Sequence, residues 1–339
     1  MPLTNANLLT EDSLARWLIE NSPIKLQIAR VWPFVGVAGG QLTYARANSA
    51  LTPATVPAAC DPVNDDSDTA AVQTFDLADY ITRYSICFAD EDKYKHPNQL
   101  DEVEYALALR KLLYAYFQRL DQLTGSAANG GLRDIIGAGR SVNRGGAALT
   151  LDCMDHAFNL VTENDGRPTH IMTSSRGLRT YQSLCRASGY EPPTVPWKWY
   201  DPGAGRMVSG EAPAFNGVPI IVNDMMVSAG SAAAADQRIY FMVLGDDGWS
   251  GPTRGVVGFV PERLKGNMFI RREAQGLAEV APITLNIPDV PYVEEITPQV
   301  NVRTQKTVWV SFPAGIGIGS QGALSMIHNF TPVADCTVA

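Results

Sequence analysis

The amino-acid sequence predicts an α+β fold with antiparallel or mixed sheets. Three observations carry that expectation. Residues 98–124 hold the clearest helical periodicity in the chain. Two strand-like stretches, 35–47 and 73–86, flank an interval rich in Pro, Ala and Thr. From Pro192 to the end, short apolar runs alternate with turn residues and no helical period recurs.

The elements follow in order. Residues 10–21 begin with Thr10, Glu11 and Asp12, then Leu14, Trp17 and Leu18, which predicts a short helix that needs a neighbour. Residues 35–86 read as a long two-stranded arm with a polar tip, because Ser49–Ala71 contains Pro53, Pro57, Pro62 and the run Asn64–Asp68. In 98–124, Leu100, Val103, Leu107, Tyr114, Phe117 and Leu120 form one stripe, interrupted by Arg110 and ended by Gly125. At ~1.5 Å per residue that helix spans roughly 40 Å. A glycine-rich join follows at 126–146. Thr150 then caps a helix carrying Leu151, Met154, Phe158 and Val161, and 169–173 reads as a buried strand. Ser174 or Ser175 caps another helix, with Leu178, Tyr181 and Leu184, stopped at Gly189. Strands are expected at 197–200, 218–222, 239–244, 255–260, 268–271, 283–287, 300–303, 307–312 and 323–328.

Composition bounds the function. Charged residues are 18% of the chain, low for a soluble protein, and the net charge is −8 with pI near 5.1. That balance argues against a dedicated nucleic-acid grip or a membrane-surface binder. The longest uncharged stretch, Thr307–Ala334, contains Pro313 and several glycines and does not read as a membrane span. Met1–Asn7 has no basic region followed by an apolar run, so no signal peptide is expected. The five cysteines, Cys60, Cys87, Cys153, Cys185 and Cys336, are scattered, which argues against a disulfide framework or a zinc site.

Reactive constellations are equally sparse. Asp152 and His156 stand i, i+4 but read as a helix first turn and a solvent-facing histidine. Asn64–Asp68 lacks the Gly and Glu of a calcium loop. Gly315, Gly317 and Gly319 lack a Gly-Lys-Ser/Thr and read as a tightly packed strand. His170, inside a short apolar strand, reads as a core histidine. No catalytic, cofactor-binding or metal-ligating residue is expected, and the chain is not expected to be an enzyme.

The order of parts resembles the major capsid proteins of tailed bacteriophages that share the Hong Kong 97 fold. Val35 through Asn48, with Pro53 and Pro57, resembles the ascending strand of that family's extended E-loop, and Phe75–Ile81 its return. Leu100–Leu123 resembles the spine helix and Gly131–Leu132 the Gly-Leu that follows it. Leu151–Val161, Pro168–Thr173 and Arg176–Leu184 resemble the axial domain's helix, strand and helix. Phe215–Asp224, Ile239–Gly245, Thr307–Phe312 and Ala323–Ile327 resemble its later strands.

The resemblance implies an N-terminal arm at 1–35, an E-loop at 36–84, and a peripheral domain with the spine helix at 85–147. It implies an axial domain at 148–280, peripheral return strands at 281–322, and a closing axial strand and tail at 323–339. It further implies self-assembly as hexamers and pentamers into an icosahedral virion head, built in the host bacterial cytoplasm. The partners implied are the chain itself, a scaffolding protein, a portal protein, a possible decoration or cement protein, and non-specifically packaged double-stranded DNA. No membrane partner and no cofactor are implied.

Arg46, Arg83 and Trp17 are the candidates for contacts between subunits. Lys25, Arg30, Arg110, Lys111 and Arg119 are the basic candidates for the lumen. Only residues 1–34 precede the arm, so the resemblance implies a separate scaffolding protein or an already processed chain. No lysine lies between Lys25 and Lys93, so an isopeptide bond from an arm lysine is not expected. The alternatives are an encapsulin-like nanocompartment shell, which shares the fold, and an unrelated α+β protein.

Overall fold

The computed structural model describes residues 28, 31–47, 70–87, 107–108, 111–112, 114–125, 130–201, 206–223, 225–226, 237–245, 255–261, 270–272, 294–296 and 305–332. The expected N-terminal helix at 10–21 and the expected strands at 283–287 and 300–303 lie outside the described residues.

In chain order the strands are β1 (Phe34–Val37), β2 (Gln41–Ala47), β3 (Ala70–Asp76), β4 (Ala78–Cys87) and β5 (Ser141–Asn143). They continue as β6 (His170–Thr173), β7 (Thr194–Asp201), β8 (Arg206–Phe215), β9 (Val218–Val222) and β10 (Gln237–Met242). The last are β11 (Val256–Pro261), β12 (Ile270–Arg272), β13 (Glu294–Ile296), β14 (Gln305–Ile318) and β15 (Leu324–Phe330). Among the described residues they form three sheets. A seven-stranded sheet runs β5-β15-β10-β6-β9-β8-β7. A six-stranded sheet runs β1-β11-β14-β13-β12, with β4 paired along β14. A two-stranded ribbon joins β2 and β3.

The seven-stranded sheet forms around β10. Its Ile239, Tyr240, Phe241 and Met242 are buried on both faces, as a central strand requires. Helices Leu151–Asp165 and Ser175–Ala187 pack on this sheet. Both begin where capping chemistry places them. Thr150 Oγ1 accepts from Cys153 N at 3.3 Å, and Ser174 Oγ accepts from Gly177 N at 3.0 Å. β8 and β9 join through Asn216 and Gly217, both at positive φ (48° and 73°), the Asn-Gly chemistry of a two-residue hairpin.

The six-stranded sheet owes its tightness to β14. A Cβ added at Gly315 would lie 2.3 Å from the Phe259 ring, and one at Gly317 would lie 2.8 Å from Leu42. The glycine-spaced stretch is therefore a packed strand, as its sequence implies.

Residues 107–108, 111–112 and 114–119 are helical and end in a turn at Leu120. The expected helix before Leu107 lies outside the described residues, and the part described is held by both sheets. Tyr116 donates to the Gly315 carbonyl at 3.1 Å and accepts from Trp32 Nε1 at 3.0 Å. On the other side, Asn223 Nδ2 donates to the Phe117 carbonyl at 3.2 Å. The buried residues Leu112, Tyr116, Phe117 and Leu120 form a broader apolar face than one stripe. A helix with two partners buries more than one side.

The interval read as a single return strand, 73–86, is divided at Leu77. Residues 70–76 pair with β2, whereas 78–87 pair with β14. The ribbon's described strands are thus 41–47 and 70–76, within the interval 36–84 expected for the arm, whose expected tip at 48–69 lies outside the described residues. The strand β8 was not anticipated by the sequence pattern, and it makes β7 one half of a second hairpin.

Candidate assembly surfaces

The arm starts from a buried root. Phe75 is wholly buried, Leu42 packs against the core, and Leu77 N donates to the Gly40 carbonyl at 3.1 Å. Gly39, at φ +107°, makes the turn into β2. From there β2 and β3 pair in antiparallel register from Gln41↔Asp76 to Ala47↔Ala70, and Gln41 Nε2 donates to Asp76 Oδ1 at 2.8 Å. A two-stranded ribbon is marginal by itself in water. Among the described residues β2 and β3 form a sheet of their own, apart from the two larger ones.

β4 offers a second surface. Tyr80 and Tyr84 turn inward, and Tyr80 packs against Tyr116 and Phe312 with ring centroids 5.9 and 6.1 Å away. The alternate residues Asp79, Ile81 and Arg83 face outward. Ile81 is 59% exposed, an unusual position for isoleucine in a strand. Leu123 (62%) and Tyr190 (44%) are the other large apolar side chains left exposed among the described residues. Sequence reasoning missed all three. For Ile81 a signal existed: it falls on the odd-numbered, polar side of an alternating strand.

The expected contact and lumen residues fall in separate places. Arg46 sits in β2 opposite Ala71, within the arm. Arg83 sits in β4 opposite Trp309 and so belongs to the six-stranded sheet, not to the ribbon. Lys111 is exposed on the long helix. The Arg119 guanidinium stands over the Tyr80 ring at 6.0 Å, so it has a partner within the subunit. Burial pushes the Tyr80 hydroxyl up to about 12, against the opposing pull of Arg119. Trp17, Lys25, Arg30 and Arg110 lie outside the described residues.

The Asp152–His156 pair dissolves into structural parts. Asp152 and His156 are exposed, while Asp155 Oδ1 accepts from Asn216 Nδ2 at 3.0 Å and ties the β8–β9 turn to the helix. Arg167 donates to the Asn216 carbonyl of the same turn. Among the described residues no three His, Cys, Asp or Glu side chains gather as metal ligands would. No described helix is long and apolar enough to cross a membrane.

A buried charged cluster joins the long helix to the seven-stranded sheet. Arg238 Nη1 donates to Asp121 Oδ2 at 2.5 Å, and Tyr240 Oη donates to Asp121 Oδ1 at 2.6 Å. Burial raises the Asp121 carboxyl above the ordinary range, while Arg238 and the hydrogen bonds pull it back. Nothing local in the sequence marks this cluster.

His170 in β6 contacts Thr169 Oγ1 at 3.0 Å, and burial lowers its pKa to about 4. The folded state therefore holds it neutral while the unfolded chain takes up a proton near pH 6.5. Its contribution is intact above that pH and is lost as pH falls from about 6.5 to about 4. We expect His170→Gln to remove about 2–3 kcal/mol of the acid-induced loss between pH 7 and 4. Urea unfolding at pH 7, 5.5 and 4 measures this; parallel stability–pH curves for the two proteins would contradict it.

No family model matches the chain, and no curated protein matches it in sequence. Solved structures do match it. The holo-SrpI encapsulin complex from Synechococcus elongatus is similar over 92% of this chain and 90% of that chain, with TM-score 0.64 and 15% identity. The capsid of a native GTA particle covers 89% of each chain, with TM-score 0.59 and 12% identity. Mycobacterium phage Bobi covers 89% of this chain and 90% of that chain, with TM-score 0.54 and 12% identity. The chain has the Hong Kong 97-like α+β capsid fold.

Proposed function

We propose that this chain is a shell subunit: the major capsid protein of a tailed double-stranded DNA bacteriophage. It assembles as hexamers and pentamers into the icosahedral head. The observation that carries the reading is a Hong Kong 97-like fold over about nine-tenths of the chain, bearing a ribbon rooted in the core at Phe75. Such a ribbon gains its stability on a neighbouring copy. The long arm interval, 36–84, favours the phage head over a nanocompartment.

Assembly proceeds through many modest interfaces, each offsetting lost rotational and translational freedom with buried area. The arm and the outward row Asp79, Ile81 and Arg83 supply two of them. The partners are further copies, a scaffolding protein, a portal protein, a decoration or cement protein, and packaged DNA held without sequence readout. The protein resides in the virion after assembly in the bacterial cytoplasm.

A second reading, an encapsulin-like compartment shell, is favoured by the TM-score of 0.64 to the encapsulin complex. The contents of purified particles separate the two. A phage head holds genome-length DNA, whereas a compartment holds protein cargo.

The charge chemistry gives a second test. With a net charge of −8, the lumen must be poor in acids or screened over a Debye length of about 8 Å. Gln substitutions at Arg110 and Lys111 are expected to lower genome retention, measured as DNA per particle, and to leave empty shells intact. Arg119→Gln is expected to lower subunit stability instead, because Arg119 packs on Tyr80. Failed assembly with normal packaging in the surviving particles would place Arg110 and Lys111 in subunit contacts.

A further inference from the structure

The two sheets meet along one line. β10 passes into β11 where Leu244 bridges Val256, with Gly245 N on the Val256 carbonyl at 3.1 Å and Val256 N on the Val243 carbonyl at 2.8 Å. β14 passes into β15 at the same place, where Val243 N donates to the Ala323 carbonyl at 2.9 Å. The chain crosses once more, from β4 through the long helix to β5, so the helix also ties the two sheets.

The seven-stranded sheet holds the helix at two places, Asn223, whose Nδ2 donates to the Phe117 carbonyl, and the Asp121–Arg238–Tyr240 cluster. Arg238 stands six residues from Leu244 along β10, roughly 20 Å at the rise of a strand. Its partner Asp121 ends the long helix, which Tyr116 fastens to the six-stranded sheet through the Gly315 carbonyl. Asp121 and Arg238 are 1% and 3% exposed, so water does not compete for the pair. Arg133 is the other charge acting on Asp121.

Replacing a buried ion pair by well-packed apolar groups is often neutral or stabilising, so stability alone gives little reason for this cluster. An ion pair with directed hydrogen bonds has one satisfied geometry, whereas apolar surfaces slide. We propose that Asp121, Arg238 and Tyr240 form an angle lock. They hold the seven-stranded sheet at one orientation to the long helix and the six-stranded sheet, and so set the curvature at which subunits join. The orientation stands on the subunit alone; the curvature rests on the reading as a shell protein.

The test compares full-length wild type with the variant D121L/R238M/Y240F, which removes the polar groups together, and with R238K, which keeps the charge opposite Asp121. Small-angle scattering of dissociated subunits reads the orientation, and electron microscopy of assembled particles reads the curvature. The triple variant is expected to melt within a few degrees of wild type. It should show a broadened distribution of maximum dimension and particles of more than one diameter. R238K is expected to keep the wild-type profile and a single diameter. A triple variant with wild-type scattering overturns the lock, as does one that unfolds, which would make the cluster a stability element. A spread in R238K equal to that of the triple variant overturns the assignment to the ion pair. A broadened scattering profile with particles of unchanged single diameter overturns the link to curvature. Wild type that gives no particles counts against the shell reading, and the scattering comparison still decides the lock.

Discussion

Deleting residues 50–70 is expected to leave a subunit that folds but no longer makes heat-resistant shells. The deletion removes the distal arm and spares its root, because Leu42, Phe75 and the Leu77 N to Gly40 carbonyl bond all lie outside it. The two sheets and the long helix keep their cores. What disappears, on the proposed reading as a shell subunit, is the surface that the arm lays over a neighbour, and with it burial for a two-stranded ribbon that is marginal alone. Thermal melting of dissociated subunits is expected to stay near wild type. Particles counted by electron microscopy after heating are expected to fall to background. Shells of normal heat resistance from the deleted chain would show that the arm is ornamental.

Phe75→Ala is expected to destabilise the subunit by about 3–5 kcal/mol. Phe75 is fully buried where the arm enters the six-stranded sheet, and its ring edge would lie 3.5 Å from a Cβ at Gly317. Alanine leaves a cavity beside a strand already packed as closely as glycine allows, so neighbours have little room to collapse. The same change loosens the root about which the arm is aimed, so assembly should fail at concentrations where wild type succeeds. Urea unfolding of the two proteins measures the first effect. A difference below about 1 kcal/mol would show that the root is not held by this ring.

Much of the fold was legible because local chemistry decides it. Thr150 caps the helix it was expected to cap, Ser174 is the one of the two candidate serines that caps the next, and 218–222 is a strand at the expected residues. The glycines at 315–319 mark close packing and not a phosphate loop. The failures have a common physical cause: they concern who pairs with whom. The inward side passes from odd-numbered Phe75 to even-numbered Tyr80 and Tyr84 where the chain changes partner, at Leu77, from β2 to β14. β8 was hidden because Gly210 and Pro213 weaken its strand signal, and its pairing with β7 stabilises it instead.

The candidate surfaces were less legible than the fold. Tyr116 stands beside the expected helical stripe, and it is buried because the helix serves two sheets. Asp121 and Arg238 lie 117 residues apart, so no spacing rule could join them. Arg83 was expected on the arm and belongs to the six-stranded sheet, since the change of partner at Leu77 is tertiary.

The central claim is that this chain builds a closed shell, and electron microscopy of the purified full-length protein tests it most directly. Icosahedral particles made of hexamers and pentamers, formed by the chain alone or with its scaffolding partner, are the expected result. A stable monomer at high concentration, with no particles in lysates of infected cells, would contradict it.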